Sequence, residues 1–253
     1  MRHSGRRWGE LIRRAEAWLL PAECLLCGRS VLEPEEPLAC RLCRARWRPI
    51  PHPLCNRCGQ PLPLALECRL CREWPRDLER VRSAVLLDPP VRELLHSLKY
   101  RGWRRMVGAL APAMSGFLDE LGPGALVPIP TSRARRRWRG YDQAMELAAA
   151  VAALTGRRLD PGRLRRTRAV ASQTRLGLAE RAANLAGAFA ARAGDGPLIL
   201  VDDVFTTGAT LVSAATACLE AGASRVGAVT FARAEAPLAA AARRQAWALT
   251  SGA

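Results

Sequence analysis

The chain lacks any uninterrupted hydrophobic run that approaches the roughly 18 residues of a membrane-spanning helix. Its first 24 residues, MRHSGRRWGELIRRAEAWLLPAEC, also lack the continuous apolar segment of a secretory signal. We therefore expect a cytoplasmic protein with no transmembrane segment.

Lysine is almost absent, because Lys99 is the sole lysine among 39 basic residues. Arginine supplies the remaining positive charge, and 23 acidic residues leave a formal net charge of +16 at pH 7. A positive field of this size attracts phosphorylated ligands or nucleic acid. The excess of arginine therefore favours partners that carry phosphate.

Eight of the nine cysteines form four CxxC pairs. Without an export signal, this pattern predicts metal binding and not disulfides. Two CxxC turns supply four thiolates, which is the tetrahedral shell of structural zinc. We expect two zinc ions, bound by Cys24, Cys27, Cys40, Cys43, Cys55, Cys58, Cys68 and Cys71.

The spacing leaves the pairing of these cysteines open. Sequential pairing, which each ribbon-like unit favours, gives one ion to the first four cysteines and one ion to the last four. Interleaved pairing would join the first pair to the third and the second pair to the fourth. An iron–sulfur cluster and eight unmetallated thiols are further alternatives. Arginines among the cysteines, including Arg57, allow either a bracing role or a role in binding nucleic acid.

Three zones divide the chain. Residues 1–75 combine an N-terminal amphipathic helix with the cysteine-rich segment, which we interpret as a double zinc ribbon. Residues 80–233 alternate strand-like and helix-like segments, and residues 234–253 form an alanine-rich tail. The predicted strands are 81–87, 125–130, 198–203 and 225–232, and the predicted helices are 91–100, 141–156 and 210–222. This alternation predicts an α/β fold with a mostly parallel sheet and helices on both faces.

The stretch LILVDDVFTTGAT at 198–210 carries the strongest functional signal. The loop after a parallel strand faces the crevice where α/β sheets bind ligands. Backbone N–H groups and threonine hydroxyls around Gly208 form a cradle for a phosphate. Asp202 and Asp203 would repel a phosphate but accept hydrogen bonds from sugar hydroxyls. The combination predicts a ribose 5-phosphate site; an acidic strand end beside a capped helix is the alternative.

This stretch resembles the phosphoribosyl-pyrophosphate motif of type I phosphoribosyltransferases. Three further segments match the same pattern, and with the CxxC pairs they resemble the ComF family of competence proteins. The segments are LLHSLKYRG (94–102), VPIPTSRARRRWRGYDQA (127–144) and SQTRLGLAERAANLAGAF (172–189). The resemblance spans residues 20–233. It implies a type I phosphoribosyltransferase fold with an N-terminal double zinc ribbon.

The resemblance also implies a role for each matching residue. Asp202 and Asp203 would hold the ribose hydroxyls as the catalytic pair. The 5-phosphate would be held by Thr206, Thr207, Gly208, Ala209 and Thr210. The loop after the 125–130 strand would face Mg²⁺-bound pyrophosphate through its five arginines, Arg133, Arg135, Arg136, Arg137 and Arg139. Lys99 and Arg101 would reach the same site. A loop that contains Gln173, Arg181 and Asn184 would cover it. Asp142 stands where relatives often have asparagine.

Two functions follow from these expectations. The first is an enzyme that transfers phosphoribose through an oxocarbenium-like transition state. Its acceptor is not implied, because Thr206 replaces the aspartate that hypoxanthine-type relatives use near the base. The second is a DNA-uptake factor that binds single-stranded DNA and contacts other uptake proteins. Residues 157–181 carry eight arginines against two acids, a net charge of +6, and Trp138 offers a ring for base stacking.

Overall fold

The structure is a computed structural model that describes residues 22–31, 39–62, 67–167 and 187–234. Three predicted features lie outside these residues. They are the N-terminal helix, the covering loop with Gln173, Arg181 and Asn184, and the tail beyond residue 234.

Across its described residues, 22–31, 39–62 and 67–75, the cysteine-rich segment contains little regular secondary structure. A two-stranded antiparallel sheet joins β1 (Ala22–Glu23) to β2 (Ser30–Val31). A short helix, α1 (Arg41–Ala45), then carries Cys43. Such short elements bury little apolar surface, so the segment depends on contacts with metal or with the rest of the chain.

Four parallel strands form the central sheet in the order β3-β8-β7-β4. These strands are β3 (Leu78–Leu86), β4 (Ala125–Pro128), β7 (Pro197–Phe205) and β8 (Arg225–Arg233). A separate antiparallel pair joins β5 (Leu164–Arg166) to β6 (Phe189–Ala191). The predicted α/β class and the four predicted strands are confirmed, and β5 and β6 are additions to them.

Six α-helices and one 3-10 turn (Arg104–Met106) connect the strands beyond residue 88 of the described chain. The α-helices are α2 (Pro89–Tyr100), α3 (Val107–Ser115), α4 (Leu118–Leu121), α5 (Arg133–Arg139), α6 (Gln143–Thr155) and α7 (Ala209–Glu220). Helices α2, α6 and α7 confirm the three predicted helices. Within the described ranges, no helix combines the length and the apolar character needed to cross a membrane.

The segment after β4 differs from its prediction as a loop. Helix α5 occupies most of it, although its sequence RARRRWR has no apolar face. Ser132 caps the start, since its hydroxyl accepts a hydrogen bond from Arg135 N–H, and Gly140 ends the helix in a left-handed conformation. Local capping therefore forms this helix without a hydrophobic stripe.

Alternate strand residues face two separate cores, as the two-residue period of a strand requires. Ile199, Val201 and Phe231 face the core that contains α2, α3 and α6. Leu198 and Leu200 face the opposite core, which contains α7 and also three cysteines of the second group. The cysteine-rich segment thus contributes to both faces of the sheet, because Ala39 and Trp47 pack in the first of these cores.

Candidate functional site

Asp202 and Asp203 lie near the carboxyl end of β7, an inner strand paired on both sides. Asp203 is 7% exposed. Its backbone N–H donates to Asp202 Oδ1 over 2.8 Å, which orients the Asp202 carboxylate. Because β8 pairs with β7 as far as Phe205, and β4 pairs with it on the other side as far as Val201, the two carboxylates occupy fixed positions at the edge where parallel sheets bind ligands.

The last turn of α2 brings Lys99 to this carboxylate pair. Lys99 Nζ lies 2.6 Å from Asp203 Oδ2, and both side chains are largely buried. Burial acts to lower the pKa of Lys99, but the attraction and hydrogen bond of Asp203 outweigh it and leave the pKa raised. The sole lysine of the chain is therefore firmly cationic and compensates one of the two carboxylates.

Lys99 and Arg166 also attract the second carboxylate, Asp202, but they do not outweigh its burial and the charge of Asp203. Burial, and after it the negative charge of Asp203, raises the pKa of Asp202 well above its usual range. A ligand that brings hydroxyl donors or positive charge would offset the cost of ionising Asp202. The arrangement therefore suits a polyol or a cation-bound ligand and not a bare anion.

The loop after Phe205 leads directly into α7. Thr206 is exposed, Thr207 and Thr210 are half-buried, and Gly208 has a φ of +82° at the helix start. Helix geometry leaves the first-turn N–H groups without intrahelical acceptors. Ala209 N–H meets Thr207 Oγ1 at 3.4 Å. The remaining N–H groups and the helix dipole suit an anionic group such as phosphate.

Trp74, three residues after the last CxxC cysteine, packs against this loop at Gly208. A Cβ atom at Gly208 would lie 2.8 Å from Trp74 Cζ2 and 3.1 Å from Phe205 Cζ. The Trp74 and Phe205 rings pack with their centroids 6.0 Å apart. Sequence patterns did not indicate Trp74, since no motif marks a residue that supports a loop distant in sequence.

Asp142 fastens the segment between β4 and α5. Its Oδ2 accepts Thr131 N–H over 2.8 Å, and its Oδ1 accepts Ala144 N–H over 3.2 Å as the cap of α6. Ile129 N–H donates to Val201 O over 3.0 Å, directly before the carboxylate pair. Asp142 thus holds the start of α5 close to the site.

The predicted arginines occupy different places. Arg133 and Arg137 are exposed on α5, and Arg101 is exposed with its guanidinium 6.0 Å from the Trp103 ring. In the described part of the chain, no ion pair joins Arg101, Arg133 or Arg137 to the carboxylates.

Arg139 stacks on Tyr100, with its Cζ 5.0 Å from the ring centroid. Arg166 at the end of β5, predicted only as part of a cationic segment, interacts electrostatically with Arg135 and Asp202.

The eight cysteines form two groups in sequential order. One group contains Cys24, Cys27, Cys40 and Cys43, and the other contains Cys55, Cys58, Cys68 and Cys71. The sulfur atoms within each group lie within 4.8 Å of one another, with contacts of 3.5 to 3.7 Å. A tetrahedral ion with Zn–S bonds of about 2.3 Å separates its sulfurs by about 3.8 Å. The residues present therefore fit one zinc ion in each group and not the interleaved alternative.

One thiol in the first group is prepared for deprotonation. Burial acts to raise the pKa of Cys24, but the N–H groups of Cys40, Leu26 and Cys27 lower it to about 7. The backbone N–H groups of Cys58 and Arg57 likewise outweigh burial and lower the pKa of Cys55 in the second group. Each group thus has one thiol whose turn favours the thiolate, the form in which cysteine binds metal, whereas burial raises the pKa of Cys43, Cys58 and Cys71.

Arg233 is fully buried beside the second group. Its guanidinium donates to Cys58 O over 2.6 Å and to Gln60 Oε1 over 2.9 Å, and it lies 3.9 Å from Cys58 Sγ. Within the described ranges no carboxylate forms an ion pair with it. Four thiolates around one zinc carry a net charge of −2, which supplies the counter-charge that a buried guanidinium requires.

Arg57, inside the third CxxC pair, has a structural role. Its guanidinium donates to the backbone carbonyls of Cys71, Trp74, Pro75 and Leu78. These bonds join the second cysteine group to the start of β3. The arginine that suggested nucleic-acid binding at this position instead braces the chain.

An open depression of the surface lies away from the carboxylate pair, near the start of β4. It is lined by Asp119, Gly122, Pro123, Gly124, Arg157 and Arg158. Arg157 donates to Gly122 O over 2.6 Å and to Leu118 O over 2.9 Å, so part of its positive charge is engaged within the fold. The candidate site is therefore the carboxyl end of β7 and not this depression.

Comparison with known proteins gives two findings. Residues 15–72 match the double zinc ribbon domain family. The chain is 29% identical over 225 residues to competence protein ComFC of Bacillus subtilis strain 168, a match covering 79% of this chain and 89% of that protein. It is 30% identical over 220 residues to DNA utilization protein YhgH of Escherichia coli K12, covering 82% and 95%. The YhgH protein of Salmonella typhimurium is 32% identical over 187 residues, covering 68% and 81%.

Proposed function

Because the chain belongs to the ComF family, with ComFC and YhgH, we propose that it acts in DNA uptake and binds phosphoribosyl pyrophosphate with Mg²⁺. The observation that carries the proposal is the pairing of two fixed carboxylates with a glycine-containing loop at the start of α7. Hydroxyl acceptors and a phosphate cradle on adjacent residues match the two ends of a ribose 5-phosphate. The carboxylates would repel the phosphate, and the N–H groups of the loop offer no acceptor to the ribose hydroxyls.

Each part of the site has a distinct task in the proposed complex. Asp202 and Asp203 accept hydrogen bonds from the ribose hydroxyls, and Lys99 keeps Asp203 ionised for that purpose. The 5-phosphate is held by N–H groups and hydroxyls of Thr206, Thr207, Gly208, Ala209 and Thr210. The arginines of α5, above all Arg133, Arg137 and Arg139, attract the pyrophosphate. Bound Mg²⁺ would neutralise part of the pyrophosphate charge.

A transfer reaction at this site would rely on position and charge. The bond from ribose C1 to the pyrophosphate oxygen breaks, a bond from C1 to the acceptor forms, and positive charge develops on the ring in between. Asp202 and Asp203 would favour that charge. The loop presents Thr206 and no carboxylate toward an incoming base, so the proposal commits to ligand binding and leaves transfer to an acceptor screen.

Calorimetric titration tests the binding proposal. Phosphoribosyl pyrophosphate with Mg²⁺ is added to zinc-loaded wild type, to Asp202→Asn/Asp203→Asn, and to Asp119→Asn, which changes an exposed carboxylate remote from the site. We expect binding to wild type and Asp119→Asn, and its loss in the double variant. Absence of binding to folded wild type would refute the proposal.

A second candidate function is single-stranded DNA binding with the same fold as a scaffold. Helix α5 favours it, because five arginines and no acid surround the exposed Trp138. Fluorescence anisotropy would compare a single strand with a duplex of equal length at several salt concentrations. Preference for the single strand at every salt would support this function, while equal binding would indicate only general attraction to phosphate.

The cysteine-rich segment, residues 1–75, is proposed to brace the phosphoribosyltransferase-like part, residues 80–233, through two structural zinc ions. Trp74 and Arg233 support this role, because they join the second cysteine group to the loop and to β8. Partners among other DNA-uptake proteins would then meet the first cysteine group, where Cys27 is exposed.

A further inference from the structure

Two large apolar side chains remain exposed in contact with each other. Tyr100, the last residue of α2, is 48% exposed, and Trp138 on α5 is 70% exposed. Their ring centroids lie 5.4 Å apart with the planes at 59°. Burying such rings is favourable, so a pair left in water at the junction of two helices indicates a surface that receives a ligand.

The pair belongs to a longer stack of planar groups. The His96 ring lies 4.6 Å from the Tyr100 ring, and the Arg139 guanidinium lies 5.0 Å from it on the α5 side. Arg139 also donates to the Tyr100 hydroxyl over 3.4 Å. We call His96, Tyr100, Trp138 and Arg139 the aromatic row. Contacts within the row orient Tyr100 and leave Trp138 more exposed than Tyr100.

The charge around the row selects the ligand. Residues 131–140 contain five arginines and no acid. A ligand that fits must therefore offer flat apolar faces and negative charges at the same time. Single-stranded nucleic acid has both, because its bases are unstacked and its backbone carries phosphate. A duplex offers phosphate but conceals the base faces.

The row also borders the carboxylate pair. Tyr100 follows Lys99 directly, and Lys99 Nζ contacts Asp203. The carboxylates would repel a phosphate backbone, so a strand bound at the row would follow the arginines of α5 and not enter the carboxylate site. The row and the proposed phosphoribosyl site are therefore neighbours that share the arginines of α5, whereas the carboxylates belong to the phosphoribosyl site alone.

We propose that the aromatic row is a stacking site for a nucleobase of single-stranded DNA, with Trp138 as the main platform. The proposal rests on the second candidate function, single-stranded DNA binding, and assigns its base contact. Arg133, Arg135, Arg136 and Arg137 of α5 bind the flanking phosphates.

Substitutions that leave charge unchanged test stacking apart from electrostatics. Anisotropy of a fluorescein-labelled oligothymidylate gives the affinity of wild type, Trp138→Ala, Trp138→Phe and Leu154→Ala. Leu154 is the matched control, because it is an apolar side chain 58% exposed on a different helix. We expect Trp138→Ala to weaken binding about 5-fold or more. We expect Trp138→Phe to retain most of the affinity and Leu154→Ala to retain all of it.

The salt dependence separates stacking from charge attraction. Trp138→Ala should keep the wild-type slope of affinity against salt, because it removes no charge. Arg137→Ala, by contrast, should reduce the slope by about 0.7 for each phosphate that the protein no longer neutralises. A reduced slope in Trp138→Ala would contradict the stacking role.

Three further outcomes would overturn the inference. Unchanged affinity of Trp138→Ala, with wild-type binding intact, would refute stacking while single-stranded DNA binding survives. If wild type does not prefer a single strand to a duplex, the second candidate function is refuted, and the stacking role of the aromatic row is refuted with it. Equal loss of phosphoribosyl-pyrophosphate binding in Trp138→Ala would assign the row to the carboxylate site instead.

Discussion

At the scale of single residues, the site depends on the ion pair between Lys99 and Asp203. One ammonium group stands beside two adjacent carboxylates, with Nζ 2.6 Å from Asp203 Oδ2. Both groups are largely removed from water, so each requires the other. The only lysine in a chain whose other cations are arginines therefore lies at the site. Its compact charge fits where a planar guanidinium would need more room.

Removal of Lys99 should destabilise the fold. Lys99→Met removes the ammonium group that pairs with the buried Asp203 carboxylate, so we expect the free energy of unfolding at pH 7 to fall by about 3 kcal/mol. Urea denaturation followed by circular dichroism measures the change. The double variant Lys99→Met/Asp203→Asn should recover part of the loss. A double variant less stable than Lys99→Met alone would contradict the ion pair's role.

Asp202 should reduce stability at neutral pH, because its pKa is raised in the folded state. The folded protein binds more protons at this position than the unfolded chain does, so stability falls as pH rises from about 4. Asp202→Asn removes this cost, and its gain in melting temperature over wild type should be absent at pH 3.5 and grow toward pH 7. A gain that is constant with pH would show that the carboxylate's charge is not responsible.

Asp142 illustrates a residue whose position could be predicted but whose partners could not. The RGYDQ motif placed it next to a phosphate-binding segment. Its bond to Thr131 N–H crosses a helix that the sequence did not predict. Side-chain hydrogen bonds of this kind depend on where two segments meet in space.

At the scale of elements, the turn between β7 and α7 is the most constrained part of the site. Gly208 adopts a positive φ, which side chains rarely allow, and Trp74 closes the space where a Cβ would lie. The motif TTGAT predicted the glycine's importance for approach of a phosphate. The structure adds a second reason for glycine at this position, because the Trp74 ring leaves no room for a side chain.

Gly208→Ala should therefore cost more than a matched glycine substitution. Gly140 has nearly the same φ, +79°, with no atom within 4 Å of an added Cβ. We expect Gly140→Ala to lose about 1–2 kcal/mol from backbone strain alone, and Gly208→Ala to lose more because of the clash with Trp74. Thermal unfolding compares the two variants. An equal loss of stability in the two variants would mean that the Trp74 ring moves aside without an energetic penalty.

At the scale of the whole molecule, the two cysteine groups are not equivalent. Cys55, Cys58 and Cys71 belong to the core beneath β7 and α7, whereas Cys24, Cys40 and Cys43 form a small separate cluster. Arg233 ties the second group to the last strand, and its guanidinium lies 4.0 Å from the Phe205 ring that precedes the TTGAT loop. Metal in the second group therefore supports the site.

Loss of the second zinc should have the larger effect on the fold. Cys58→Ser and Cys27→Ser should each reduce the bound zinc from two ions per chain to about one, as measured by elemental analysis. We expect Cys58→Ser to lower the melting temperature of the sheet further, because it also leaves Arg233 buried without its counter-charge. A larger effect of Cys27→Ser would contradict this hierarchy.

Features that depend on short spacing could be predicted from the amino-acid sequence. CxxC turns bring two thiolates together within four residues, strand and helix periods predict the parallel sheet, and DDVFTTGAT places two carboxylates at a strand end directly before a loop of threonines and glycine. Only the folded chain shows which distant residues meet: Lys99 with Asp203, Trp74 beneath Gly208, Arg233 beside Cys58, and Tyr100 against Trp138. Local patterns follow from backbone geometry, whereas these contacts follow from how whole elements pack, which no short segment encodes.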